Sequence, residues 1–229
     1  MKLICFPFAG GGSQTYRGWA KDLGVEVIVA PLPGRELRGR EPLLTHMTQL
    51  VDDLVPRLAA ATTGTYALFG HSMGGKIAFA IARELQRRGA PGPRCAIVSG
   101  TGAPHLPDRF APIHALPEPE LIAELREYGG MQPEILAEPE LLEYFLPILR
   151  ADLEVSETYR VAATDTVAAP IVALGGTEDL FVNREELEGW AALTTGGAEA
   201  RFVDGGHFFI HDRRAEVLAL VRGALARFA

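Results

Sequence analysis

Residues 66–80 read YALFGHSMGGKIAFA: an apolar run, a serine bracketed by glycines, then a second apolar pattern with a different period. Tyr66 to Phe69 form a short apolar run of the kind that makes a buried strand, while Ile77, Ala78, Ile81, Ala82 and Leu85 recur at helical spacing. Ser72 therefore falls on the turn between strand and helix. A chain that reverses from strand to helix in so few residues crowds its own backbone, and Gly70 and Gly74 remove the side chains that would obstruct it. Gly-x-Ser-x-Gly in that context is the nucleophile elbow. A helix beginning at Met73 would aim its first free N–H groups and the positive end of its dipole at whatever is bonded to Ser72, so that an oxyanion is stabilised there.

Working outward, short apolar runs alternate with helical patterns. KLICF, VEVIVA, YALF, CAIVS, PIVAL and EARFV read as strands with helix-like stretches between them. This alternation predicts an α/β fold, a mostly parallel sheet flanked by helices. Ligands gather at the carboxyl ends of strands in such sheets, which draws attention to the loops PFAGGG, PLPGRE, GHSMGG, SGTGAP, GGTEDLF and GGHFFI. One interval breaks the rhythm. Between CAIVSG and PIVALGG the chain has no convincing strand but two helical patterns with Pro119 and Pro139 near their starts. Residues at about 104–165 are read as a helical lid inserted into a single domain spanning 1–229; helices packed directly on the sheet are the alternative.

The chain has 229 residues, 48% hydrophobic and 22% charged, with a net charge of −7. That composition suits a globular protein and argues against disorder. Scattered basic residues on an acidic chain do not favour nucleic acid or an anionic membrane as partner. The apolar run of MKLICFPFAGGGS is too short for the core of a signal peptide, and no stretch approaches a membrane span, so a cytoplasmic protein is expected. Cys5 and Cys95 lie in apolar runs and are expected to be reduced. A monomer is the default, and neither a metal nor a cofactor is implied.

A serine hydroxyl needs a base to take its proton, and the base needs a third group to hold its tautomer. Six histidines compete. His71 adjoins the serine and should point away from its reacting oxygen; His46, His105 and His114 lie away from the expected strand ends. His207, in the loop FVDGGHFFIHD after the last strand, is the choice, with His211 next. The acid belongs between serine and histidine in chain order. Asp179 in GGTEDLF is preferred, and Glu178 stays open. An oxyanion hole needs a second N–H beside that of Met73, and the loop after the first strand is the place for it: Ala9, with Phe8 as its neighbour in contention. Gly10, Gly11 and Gly12 match neither the dinucleotide nor the P-loop spacing.

These ordered segments, LICFPFAGGGSQTYRGWA, LPGRE, FGHSMGG, SGTGAPH, GGTED and GGHFFI, cover nearly the whole chain and resemble the type II thioesterases of polyketide and nonribosomal peptide biosynthesis. The resemblance implies an α/β-hydrolase fold with a lid, and hydrolysis of acyl thioesters on the phosphopantetheine arms of acyl or peptidyl carrier proteins. It implies Ser72, Asp179 and His207 as the triad, with Ala9 and Met73 as oxyanion donors. Met131, Tyr128, Phe145, Leu146, Leu149, Phe8 and Phe181 are candidates for lining the acyl site. Arg35, Arg38 and Arg40 are expected in loop salt bridges, and Arg83, Arg87, Arg88 and Arg94 at a helix C-terminus. Thr101 and Gly102 stand where the family commonly has two basic residues, and Lys76 where it has a small or apolar one. An esterase or acyltransferase using the same triad, or a non-catalytic carrier-binding module, are the other readings.

Overall fold

The computed structural model describes residues 1–127 and 138–229. Six strands, β1 (Lys2–Phe6), β2 (Glu26–Val29), β3 (Tyr66–His71), β4 (Ala96–Ser99), β5 (Ile171–Gly176) and β6 (Ala198–Val203), form one sheet in the order β2-β1-β3-β4-β5-β6. Every neighbouring pair is parallel. Parallel strands are covered on both faces, which is why β3, β4 and β5 read as continuous apolar runs rather than alternating ones.

Alternate side chains feed two cores. Ile4, Phe6, Leu68, Val98 and Ala173 pack with α2 (Met47–Arg57) and α3 (Met73–Arg87) on one face. Leu3, Cys5, Phe69, Ile97 and Val172 pack on the other with α1 (Trp19–Leu23) and the C-terminal α8 (Arg214–Arg227). Between β4 and β5, in the segment read above as a lid, lie α4 (Glu118–Glu127) and α5 (Pro139–Thr158), the latter with Pro139 in its first turn. After β5 comes the short α6 (Arg184–Glu188), whose Asn183 cap and Glu186 form a capping box; after β6 comes α7 (Phe209–Asp212).

Leu121, Leu125, Leu146 and Leu149 make the lid's own small core, and Ala9 and Phe145 pack against it. The lid is therefore seated on the loop after β1. No described helix is long and apolar enough to cross a membrane. Cys5 and Cys95 are both buried and free.

Candidate active site

The elbow is built by close approach. A methyl group on Gly70 would meet the backbone of Gly74, and one on Gly74 would meet the Phe6 carbonyl. Both positions therefore admit only glycine while α3 leaves the sheet at this angle. Ser72 between them takes φ 53° and ψ −122°, a left-handed conformation for a residue with a side chain. Its N–H donates to the Ser99 carbonyl at 2.7 Å, and its own carbonyl accepts from the Gly75 N–H at 2.9 Å. The strained turn is thus held from both sides, at the carboxyl end of β3.

On the far side of the sheet's centre, two loops are joined at their roots. The Thr177 N–H donates to the Val203 carbonyl and the Glu178 N–H to the Gly205 carbonyl, each at 2.9 Å. Gly205 has φ +120°, and a side chain on Gly176 would strike the carbonyls of Gly205 and Gly206. The acid loop after β5 and the histidine loop after β6 are consequently in register. His207 Nδ1 lies 2.9 Å from Asp179 Oδ2, with their side chains 12% and 0% exposed. The other Asp179 oxygen accepts from the Phe181 N–H at 2.9 Å. With both its oxygens engaged inside the protein, Asp179 is fixed in place. Glu178 faces solvent, whereas Asp179 is the acid that lies against His207.

His71 sits fully buried beneath this pair, its ring centroid 5.2 Å from that of His207. Nδ1 is 2.9 Å from Ser99 Oγ, while Nε2 faces the backbone of His207 without closing a full hydrogen bond. Burial, reinforced by the neighbouring His207, holds its pKa well below the ordinary imidazole value, so it is a neutral packing ring. His211 is exposed and leans on Phe8 and Phe208. Among the described residues no hydrogen bond joins Ser72 to His207; a serine and a base that act together often close theirs only once a substrate is bound.

Met73 opens α3 directly behind Ser72. The first N–H groups of a helix have no acceptor within it. The loop carrying Phe8 and Ala9 turns back on itself through a Gly11 N–H to Phe8 carbonyl bond of 2.8 Å. Its anchor was not foreseen from sequence: Gly10 N–H donates to Asp152 Oδ2 at 2.8 Å, and Asp152 takes a two-pronged ion pair from Arg35 at 2.6 Å on each arm. Arg35 also donates to the Gly11 carbonyl at 3.1 Å. The pair is 7% and 6% exposed. Asp152 interrupts the buried apolar face of α5, and that misplaced polarity is the signal that could have found it.

The other candidates divide. Phe181 lies against the His207 ring at 5.0 Å and lines a cavity of about 420 Å³ beneath the lid. Phe8 packs at 5.5 Å on Phe208. Phe145 stacks edge-on to Tyr144 within the lid, and Leu146 and Leu149 are buried in the lid's core rather than lining that cavity. Met131 and Tyr128 lie outside the described residues. Arg38 pairs with Glu41 and Asp53 as expected, whereas Arg40 has no ion pair among the described residues. Arg87 and Arg88 pair locally with Glu84, Arg83 reaches Asp165 and Arg88 also Asp52, and Arg94 donates to the carbonyls of Phe228 and Ala229. The described residues contain no cluster of metal-binding side chains.

A sequence model of the thioesterase domain matches residues 1–225. A Brevibacillus parabrevis protein named linear gramicidin dehydrogenase LgrE is 34% identical over 231 residues, 99% of this chain and 88% of its own. Thioesterase PikA5 of Streptomyces venezuelae is 34% identical over 239 residues, 98% and 83% of the two chains. The solved structure of RedJ, a thioesterase from the prodiginine pathway of Streptomyces coelicolor, superposes with a TM-score of 0.90 at 37% identity, covering 97% of this chain and 85% of that one. The first of these names speaks of a dehydrogenase; here three consecutive glycines stand in the loop after β1, and the dinucleotide fingerprint is not formed.

Proposed function

This chain belongs to the thioesterase domain family, and from that premise we propose that it is a type II thioesterase that clears acyl or aminoacyl groups from the phosphopantetheine arms of carrier proteins in polyketide or nonribosomal peptide synthesis. The observation that carries the reading is the buried Asp179 bonded to His207 at the same sheet edge as the strained Ser72.

In this mechanism Ser72 Oγ attacks the thioester carbonyl as His207 Nε2 takes its proton, and Asp179 holds Nδ1–H and steadies the imidazolium. The oxyanion is received by the N–H groups of Met73 and Ala9, fixed donors that need no reorganisation as charge develops. His207 then returns the proton to the departing pantetheine thiol. Water repeats the sequence on the acyl-serine and releases the free acid. A thiol with a reference pKa of about 8.5 leaves readily, so deacylation limits turnover.

Free acid released from a panel of acyl groups on phosphopantetheinylated carrier protein, measured beside Ser72→Ala, tests this. Release by the wild type that is lost in the variant is the expected result. No release by either protein from properly loaded carriers would overturn it.

A further inference from the structure

Lys76 lies in the first turn of the elbow helix, which begins one residue after Ser72, so the two are about 6 Å apart along its axis. Its partly buried side chain enters the cavity of about 420 Å³ beneath the lid. That cavity is walled largely by apolar groups, among them Ala103, Ile113, Leu116 and Phe181, and through Phe181 it adjoins His207. A lysine there calls for a counter-charge.

Among the described residues none stands at contact distance. Glu186 is held by Arg109 at 3.1 Å and by the Asn183 N–H at 2.8 Å. Glu157 is held by His114 at 2.6 Å and by the N–H groups of Ile113 and His114. Asp108 pairs with Arg160, and Glu124 forms no ion pair with Lys76. Lys76 Nζ donates to a single backbone carbonyl, that of Ser156 at 2.8 Å. An ammonium has three donors, and two are left for an occupant of the cavity. Desolvation, with Arg160 adding to it against the pull of Glu157 and Glu186, brings the Lys76 pKa down to about 8, as expected for a cation short of partners.

The geometry points to a cavity that receives the acyl chain, in which Lys76 binds an anionic end and so selects acyl groups bearing a carboxylate a short way from the thioester carbonyl. This rests on the thioesterase reading above. The apolar walls take the methylene segment, and the ammonium offers charge-assisted hydrogen bonds that a plain alkyl chain leaves unmade.

Succinyl and glutaryl thioesters, compared with thioesters of equal length that end in isopropyl instead of carboxylate, provide the test. Each is presented on carrier protein and on N-acetylcysteamine, which has no phosphate. Ser72 labelling by a fluorophosphonate is followed in parallel, so that ratios are taken on folded enzyme. The wild type should favour the carboxylates on both carriers, with a kcat/KM ratio that drops about tenfold or more in Lys76→Met and is partly kept in Lys76→Arg. Equal ratios in wild type and Lys76→Met, with hydrolysis intact, would overturn this inference alone. A preference seen only on carrier protein would place recognition of the carboxylate on the carrier and overturn it as well. Failure of the wild type on every thioester would remove the thioesterase reading and this inference together.

Discussion

Ser72 is held at φ 53°, a conformation that costs about 1–3 kcal/mol and that the surrounding structure has to impose. The same over-determination governs its partners. Asp179 accepts both the His207 ring N–H and the Phe181 N–H, so Asp179→Asn preserves its shape while offering His207 the wrong group and the wrong tautomer. The expected result is a fall in kcat of about 10⁴-fold with little change in Tm. Glu178→Gln, in solvent, should leave kcat near wild type. Steady-state kinetics of the two variants on one acyl-carrier substrate check both. Lys76 bears a cost of the opposite kind, since its folded pKa of about 8 lies below its ordinary value of 10.5. Below pH 8 folded and unfolded chains both carry the proton and the folded state suffers the full desolvation. Between the two values the unfolded chain binds more protons, so this group makes stability rise with pH across that window. Arg160, Glu157 and Glu186 are the charges acting on it. Lys76→Met should therefore raise the unfolding free energy by about 2 kcal/mol at neutral pH, allowing for its remaining exposure, and should flatten the slope above pH 8 in urea titrations run at several pH values.

At the scale of elements, α5 is more than a cover. Leu149 lies close over Gly10, and Asp152 one turn on binds the Gly10 N–H and Arg35, so one helix of the lid fixes the loop that carries Ala9. Removing one member of a buried ion pair costs about 3–5 kcal/mol because it strands the other charge. Asp152→Ala should lose that much stability in urea titrations. It should also lower kcat more than it changes KM, since the Ala9 N–H, in the proposed mechanism, is needed most when the oxyanion forms. Asp152→Asn, which keeps an oxygen for the Gly10 N–H, should recover part of kcat. A variant with reduced stability and unaltered kcat would show that the pair supports folding alone. The helix itself was legible from Pro139 and its apolar spacing. Its seat was not, because Asp152 and Arg35 stand 117 residues apart and neither carries a local sign of the other.

For the molecule as a whole, the six strands were legible because a parallel sheet buries both faces of each strand and leaves apolar runs in the sequence. The placement of Ser72, Asp179 and His207 after β3, β5 and β6 was legible because each follows one of those runs. What sequence did not disclose are contacts between loops, such as the Glu178 N–H on the Gly205 carbonyl that sets the acid loop beside the histidine loop. The two cysteines report on this sheet as a unit. Cys5 lies in β1 and Cys95 immediately before β4, both in the core shared with α1 and α8. Burial pushes the Cys5 thiol well above its usual pKa and that of Cys95 up to about 12, so neither presents a thiolate at neutral pH. An aromatic disulfide reagent should find no reactive thiol in the native protein. With rising urea both should become reactive in one transition, coincident with the loss of far-ultraviolet circular dichroism, because β3 ties their strands together and reaching either means opening the core between. Labelling of Cys95 at a lower urea concentration than Cys5 would instead mean that the half of the sheet bearing Asp179 and His207 opens apart from the half bearing Ala9, with the triad divided between two folding units.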